Sequence, residues 1–335
     1  MVTVEINETR IGNNEPTYFI AEAGLNHNGD LNIAKQLIET AKDCGANAVK
    51  FQTFKTEEFL AKSSQYFDVF KNVELTYEEF DELSDYAKKV GITFFSTPFD
   101  VTSADALYDL NIPCFKIASS DLTNIPLLDH ISKFNIPMII STGLATMNDV
   151  IDAIDVCKKN DNNQLIILHC IANYPTQPEE TNLDAITTLK QKFSFPIGYS
   201  DNGDSTLVDL VAVSLGASVI EKHFTLDRNS NGPDHFFSIE PVELKKLISQ
   251  IRLIEQIKGT GIKSPQKSEL ANISAIRKSI TAKLDLQQNQ VLILNDLSVK
   301  RPATGIEPKH LHQIIGKKLN KSIKKDTPLT WGDLI

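Results

Sequence analysis

The stretch 218-SVIEKHF-224 is the eighth short apolar run in the chain, and that count decides the fold. Seven runs precede it: 18-YFIAEAG-24, 48-AVKFQT-53, 93-TFFSTP-98, 114-CFKIAS-119, 137-PMIIST-142, 165-LIILHC-170 and 195-FPIGYS-200. They are rich in β-branched or aromatic residues and bounded by Gly, Pro or polar residues, as strands buried on both faces are. Helical patterns lie between them, apolar at three- and four-residue steps, as in 31-LNIAKQLIETAKDCG-45 and 146-TMNDVIDAIDVCKKN-160. After the eighth run, 240-EPVELKKLISQIRLIEQIK-258 supplies the eighth helix. Eight strand–helix units in about 250 residues predict an α/β chain built as a (β/α)8, or TIM, barrel. A doubly wound open sheet is the alternative; even spacing and the count favour the barrel.

The pattern breaks after the eighth helix. The segment 259-GTGIKSPQKSELANIS-274 is polar and carries Gly, Pro and Ser, as a linker does. Beyond it, 286-LQQNQVLILNDL-297 and 323-IKKDTPLTWGDL-334 share length and pattern and end alike in Asp-Leu. So short a repeat predicts a small pseudo-symmetric β domain. The expected division is a barrel over 1–260, a linker over 261–274 and a small domain over 275–335. A domain of that size has little room for a core and is expected to lean on a partner surface.

Composition excludes several classes. With 41% hydrophobic and 23% charged residues the chain reads as an ordinary globular protein. No run approaches the ~18 apolar residues of a membrane span. The opening MVTVEINETRIGNNEP has no basic region followed by an apolar one, so no secretory signal is expected. Cys44, Cys114, Cys157 and Cys170 fit no C-x-x-C spacing and sit among apolar residues, as reduced core thiols of a cytoplasmic protein would. A net charge of −9 argues against nucleic-acid binding. That charge is uneven: residues 275–335 hold 11 Lys and Arg against 5 Asp and Glu, a net +6, and the remainder is −15. The basic end is either a lid over an anionic ligand or a solvated face.

In such a barrel the active site lies at the C-terminal ends of the strands. Those ends offer Glu22, Lys50, Ser96, Thr97, Lys116, Ser119, Asp121, Ser141, Tyr174, Ser200, Asn202 and His223. Lys50 and Lys116 stand inside strand cores beside phenylalanines, where an unpaired ammonium costs several kcal/mol, on the order of a buried ion's desolvation. With the hydroxyls of Ser96, Thr97, Ser119 and Ser141 they would clamp a phosphate or carboxylate. Alternatively each lysine pairs with a structural carboxylate, Glu22 or Glu221. His223, with Asp234 delivered by the turn in 230-SNGPDHFFS-238, is a candidate mixed N/O ligand pair for a divalent metal.

Taken together, 20-IAEAGLNHNGD-30, 95-FSTPFD-100, 115-FKIAS-119, 140-ISTGLAT-146, 168-LHC-170, 174-YPT-176, 198-GYSD-201, 221-EKHFTLD-227, 232-GPDHFFS-238 and 300-KRPATGI-306 resemble the sialic acid (N-acetylneuraminate, or nonulosonic acid) synthase family. The resemblance runs in order along almost the whole chain, and the C-terminal segment resembles that family's antifreeze-like, or SAF, domain. It implies a condensation of phosphoenolpyruvate (PEP) with an open-chain N-acetylated amino sugar, by default N-acetylmannosamine, giving N-acetylneuraminate and phosphate. It also implies a divalent metal, Mn²⁺ or Mg²⁺, and a domain-swapped homodimer. By similarity Lys50, Thr97, Lys116, Ser119, Ser141 and Ser200 would hold PEP. Glu22 would face the carbon that develops positive charge. Tyr174, Asp121 and Asp234 would hold the sugar, His223 the metal, and Arg301 the sugar's acyl group from the other subunit.

The chain departs from the family's pattern in places. Asn202 stands where most members have a second metal-binding histidine, and its carbonyl is a weaker, neutral ligand. Asp121 replaces a usual Glu, and Ala172 a residue that is often polar. No sugar-binding residue can be placed in 54-FKTEEFLAKSSQYFDVFKNVEL-75. The last three departures fall on the sugar side, which leaves open a 2,4-diacetamido sugar and a legionaminate- or pseudaminate-type product. A catalytically silent sugar-binding protein and a synthase acting on a phosphorylated aldose are the competing readings.

Overall fold

The computed structural model of the chain describes residues 2–335 and divides at Gly259 into two compact units. The first opens with an antiparallel hairpin of β1 (Val4–Ile6) and β2 (Thr9–Ile11). Its two turn residues, Asn7 and Glu8, take φ of 46° and 65°, the left-handed pair that a two-residue hairpin needs. Val4, Ile6 and Ile11 pack against the apolar interior of the barrel.

Eight parallel strands follow: β3 (Tyr18–Gly24), β4 (Ala48–Thr53), β5 (Thr93–Pro98), β6 (Phe115–Ile117), β7 (Met138–Ser141), β8 (Leu165–Cys170), β9 (Ile197–Asp201) and β10 (Val219–His223). The hydrogen-bonded order is β5-β4-β3-β10-β9-β8-β7-β6, and β5 and β6 lie against each other to close the barrel. All eight expected runs are strands. The expected helices form as well, at Leu31–Asp43, Met147–Lys159 and Pro241–Lys258. Thr146 begins the second of these as a capping box with Asp149.

Alternation along the strands separates two cores. Residues such as Val49, Phe51, Phe94, Ile117, Ile140 and Ile167 point outward to the helices. Tyr18, Ile20, Ala48, Phe95, Cys114, Ile139, Ile166, Leu168 and Val219 point inward and fill the barrel. Gly198 completes that layer, because a Cβ there would come within 2.6 Å of Leu168 and of the Val219 carbonyl.

The second unit is built on the antiparallel pair β11 (Ser279–Ala282) and β12 (Leu297–Lys300). The repeat is real: Leu286 and Ile323, which open its two copies, exchange backbone hydrogen bonds of 2.8 and 2.9 Å. Each copy ends in a 3-10 turn capped by its own Asp, Asp296 or Asp333. The expectation of a meagre core is corrected, because ten buried apolar residues, among them Ile280, Leu286, Leu292, Ile314, Leu319 and Leu329, form a closed cluster. The linker also contains structure, in two short helices at Lys267–Leu270 and Ile273–Ile276.

Candidate active site

The inward face does not stay apolar. One inward step beyond Ile20, Ala48, Phe95, Cys114, Ile139, Leu168, Gly198 and Val219 stand Glu22, Lys50, Thr97, Lys116, Ser141, Cys170, Ser200 and Glu221. Every strand contributes one member, so the site layer is a ring set by period-two alternation.

The ring is tied together by charge. Glu22 Oε2 lies 3.1 Å from Lys50 Nζ, which donates to Thr97 Oγ1 at 3.1 Å and lies 3.6 Å from Glu221 Oε2. Lys116 Nζ lies 3.4 Å from Glu221 Oε1, which accepts from Ser200 Oγ at 2.9 Å. Gln52 Nε2 donates to Glu22 Oε1 at 3.1 Å. The two alternatives left open by the sequence therefore coexist: the lysines have carboxylate neighbours and also face a clamp of hydroxyls. Ser141 Oγ, in the same ring, is buried without a hydrogen-bond partner among the described residues.

Burial pushes the Glu22 carboxyl up to about 7; Lys50 and Gln52 oppose the shift and Glu221 adds to it. Glu221 goes the other way. Burial would raise it, but Lys116 and Lys50 together hold it down at about 2. The pair of carboxylates is thus split, one permanently charged and one titrating near neutrality.

A cavity of about 590 Å³ opens above the ring. Thr97, Lys116, Ser119, Ser141, Ser200, Glu221, Tyr174, His223 and Asp234 all line it. Lys50 and Glu22 are buried beside these residues and reach them through their ion pairs. Ser119 Oγ accepts from the Gly143 N–H at 3.0 Å. Ser96 is a correction. It faces outward, one residue off the inward parity, and its hydroxyl is bonded to Thr53 Oγ1 at 2.7 Å. Asp121 does not line the cavity; its oxygens accept from Ser120 Oγ at 3.1 Å and Asn124 Nδ2 at 3.0 Å. Arg301 is an exposed residue of the second unit.

One inward step higher come Asn202 and His223. The register that pairs Lys222 with Asp201 sets these two side by side. Burial, reinforced by the Lys50 charge, lowers His223 to about 3, so its imidazole is neutral and the nearby Asp234 is not an ion-pair partner. His223 Nδ1 is buried without a hydrogen-bond partner and lies 3.9 Å from Asp234 Oδ2. Burial lifts Asp234 to about 6, and its Oδ2 accepts from the Leu25 N–H at 3.2 Å. Gly24, at φ 52°, permits that approach, because a Cβ there would lie 2.8 Å from the same Oδ2. Asn202 Nδ2 donates to the Ile171 carbonyl at 2.8 Å, so Oδ1 is the atom it has for a ligand. One free imidazole nitrogen, one carboxylate and one amide oxygen fit a hard divalent cation that completes its shell with water and substrate. Among the described residues no cluster of three His, Cys, Asp or Glu groups exists to hold a metal by itself.

The outward parity carries a second buried charge set. Lys222 pairs with Asp201, donates to the Gly203 carbonyl at 2.8 Å and lies 3.5 Å from Asp209. Asp201 also accepts from Tyr199 Oη at 3.2 Å and the Gly203 N–H at 2.9 Å. The polar stretch 198-GYSDNGDST-206 thus divides by parity: Ser200 lines the cavity and Asn202 is buried beside it on the same parity, while Asp201 anchors the loop that holds them. Removing one partner from a buried ionic set of this kind costs about 3–5 kcal/mol.

Some cavity residues escaped sequence reasoning, whereas Gln52, a polar strand end, and Glu221, read as a structural partner of the lysines, enter the site through strand parity. Tyr66, Val69 and Phe70 come from the segment after β4, which forms helices at Thr56–Phe59 and Phe67–Val73. Phe70 packs with Phe54 and Phe59 at ring separations of 5.2 Å. The signal was the density of aromatics in that loop, Phe54, Phe59, Tyr66, Phe67 and Phe70, which a solvated loop has no reason to carry. Phe236 adds a further apolar wall.

A model of the NeuB family matches residues 37–263, and a SAF domain model matches residues 277–335. The chain is 46% identical to an uncharacterised protein of Methanocaldococcus jannaschii, over 100% of this chain and 99% of that one. It is 44% identical to the N,N'-diacetyllegionaminic acid synthase of Campylobacter jejuni, over 92% of this chain and 98% of that one. The crystal structure of an N-acetylneuraminic acid synthetase from Leptospira borgpetersenii, in complex with citrate, superposes with a TM-score of 0.78. That similarity covers 81% of this chain and 95% of the other at 40% identity.

Proposed function

Because the chain belongs to the NeuB family, whose members are PEP-dependent nonulosonic acid synthases, we propose that it joins PEP to a 2,4-diacetamido-2,4,6-trideoxyhexose, giving a legionaminate-type nine-carbon 2-keto acid and phosphate. The observation that carries the chemistry is the ring of Glu22, Lys50, Thr97, Lys116, Ser141, Ser200 and Glu221 at one end of the barrel. The sugar rests on the relative of 44% identity that bears the legionaminate name. N-acetylmannosamine is the second reading, favoured by the N-acetylneuraminic acid synthetase of 40% identity.

Lys116 and Lys50, with Thr97, Ser119, Ser141 and Ser200, neutralise and orient the phosphate and carboxylate of PEP. C3 of PEP bonds to the aldehyde carbon of the open-chain sugar, and the aldehyde oxygen becomes a hydroxyl. C2 is left electron-poor, and ionised Glu22 stabilises it from below. Water adds at C2, its proton leaves, and inorganic phosphate departs with the C2–O bond to reveal the ketone. A divalent cation beside His223, Asp234 and Asn202 would polarise the sugar's aldehyde. Enzymes of this family commonly depend on such a metal. Arg301 is assigned to the sugar's acyl group, and the swapped dimer to the assembly, by resemblance alone.

The test is phosphate release from PEP with each sugar, in Mn²⁺, Mg²⁺ or EDTA. Release that needs the diacetamido sugar and stops with EDTA is expected. No release with any sugar and metal would restore the silent binding protein.

A further inference from the structure

Large apolar side chains rarely stand exposed in groups on a soluble protein unless something apolar meets them. Here they gather at the mouth of the cavity. Tyr66 is 55% exposed, Val69 39%, Leu144 82% and Phe236 58%, and all four line the same space. They come from three separate loops, after β4, β7 and β10, so no single local pattern put them together. Leu144 is held at φ 63°, a left-handed conformation that a branched side chain adopts only at a cost. A backbone strained to present a leucine to solvent over a cavity points to a ligand that covers it.

Apart from the Tyr66 hydroxyl the four side chains offer no hydrogen-bonding group, and of the polar residues that line the same cavity Gln52 gives its amide to Glu22 and Ser120 its hydroxyl to Asp121. A sugar hydroxyl pressed against Val69, Leu144 or Phe236 would lose water and gain no partner, whereas a methyl group would gain contact. Resting on the proposed synthase reading, we infer that Tyr66, Val69, Leu144 and Phe236 form an apolar subsite that selects sugars bearing methyl-terminated groups, a C6 methyl and a C4 acetamido, where N-acetylmannosamine has hydroxyls.

The discriminating experiment measures kcat/KM by phosphate release for the 2,4-diacetamido-2,4,6-trideoxy sugar and for N-acetylmannosamine. It uses the wild type, Val69→Ser, Phe236→Ser and, as a conservative control, Val69→Ile. Val69 and Phe236 are exposed, so neither substitution removes a buried core side chain. The wild type prefers the trideoxy sugar by about ten- to two-hundredfold, the range set by one or two apolar groups. Each serine variant raises the KM of that sugar about tenfold with kcat and the KM of PEP unchanged, and changes N-acetylmannosamine less than about threefold. Val69→Ile retains the preference. Equal losses on both sugars would mean that the wall meets a protein surface, and overturn the subsite. A wild type that prefers N-acetylmannosamine overturns the subsite and leaves the synthase standing. Phosphate release with neither sugar overturns both.

Discussion

Glu22 and Glu221 are the same residue type in the same ring, yet they titrate at opposite ends of the carboxylate range. Two lysines hold Glu221 down, and burial dominates at Glu22. In the proposed reaction Glu22 acts ionised, and its carboxyl is pushed up to about 7, so kcat/KM is expected to fall as pH drops through about 7. Gln52 donates to the ionised form, so Gln52→Leu raises that pKa further and moves the acid limb to higher pH. A pH–rate profile whose limb stays in place or moves down would contradict this assignment. Asn202 poses the second residue-scale question. Asn202→His replaces an amide oxygen by an imidazole nitrogen beside His223, and tightens Mn²⁺ binding measured by calorimetry without abolishing turnover. An inactive histidine variant beside an active Asn202→Ala would remove Asn202 from the metal site.

Strand parity does most of the positioning at the scale of the element. Ser96 and Thr97 are adjacent hydroxyls, but only Thr97 faces Lys50 and the cavity. Thr97→Val therefore raises the KM of PEP several-fold, while Ser96→Ala leaves it unchanged and at most loses the bond to Thr53, about 1 kcal/mol. Steady-state kinetics with PEP varied checks both, and equal effects would sink the parity argument. Much of this was legible in the sequence. Eight apolar runs announced eight strands, and their polar ends named most of the ring. The error at Ser96 arose because a strand's last residues were taken together, although alternate ones face opposite cores. Tyr66, Val69 and Phe70 were hidden for a different reason. Their helix lies in a connecting segment, and nothing in local periodicity says which way such a segment folds over the mouth.

Across the whole molecule, two units carry unequal charge, −16 over residues 1–259 and +7 over residues 260–335. The smaller unit has its own closed core and a two-copy repeat whose halves bond to each other. The sequence exposed the repeat through its matching Asp-Leu ends, but not the core, because its apolar residues come from turns rather than from periodic elements. The larger unit presents one charged floor and one apolar rim to one cavity. The floor suits an anionic three-carbon donor, and the rim suits an acceptor with few hydroxyls. The central claim is that both substrates meet there. It is tested most directly by following phosphate release from PEP with the 2,4-diacetamido-2,4,6-trideoxy sugar and with N-acetylmannosamine, each with Mn²⁺ and with EDTA. Metal-dependent release that strongly favours the diacetamido sugar is the predicted result. Release that ignores the sugar, or that proceeds undiminished in EDTA, would contradict it.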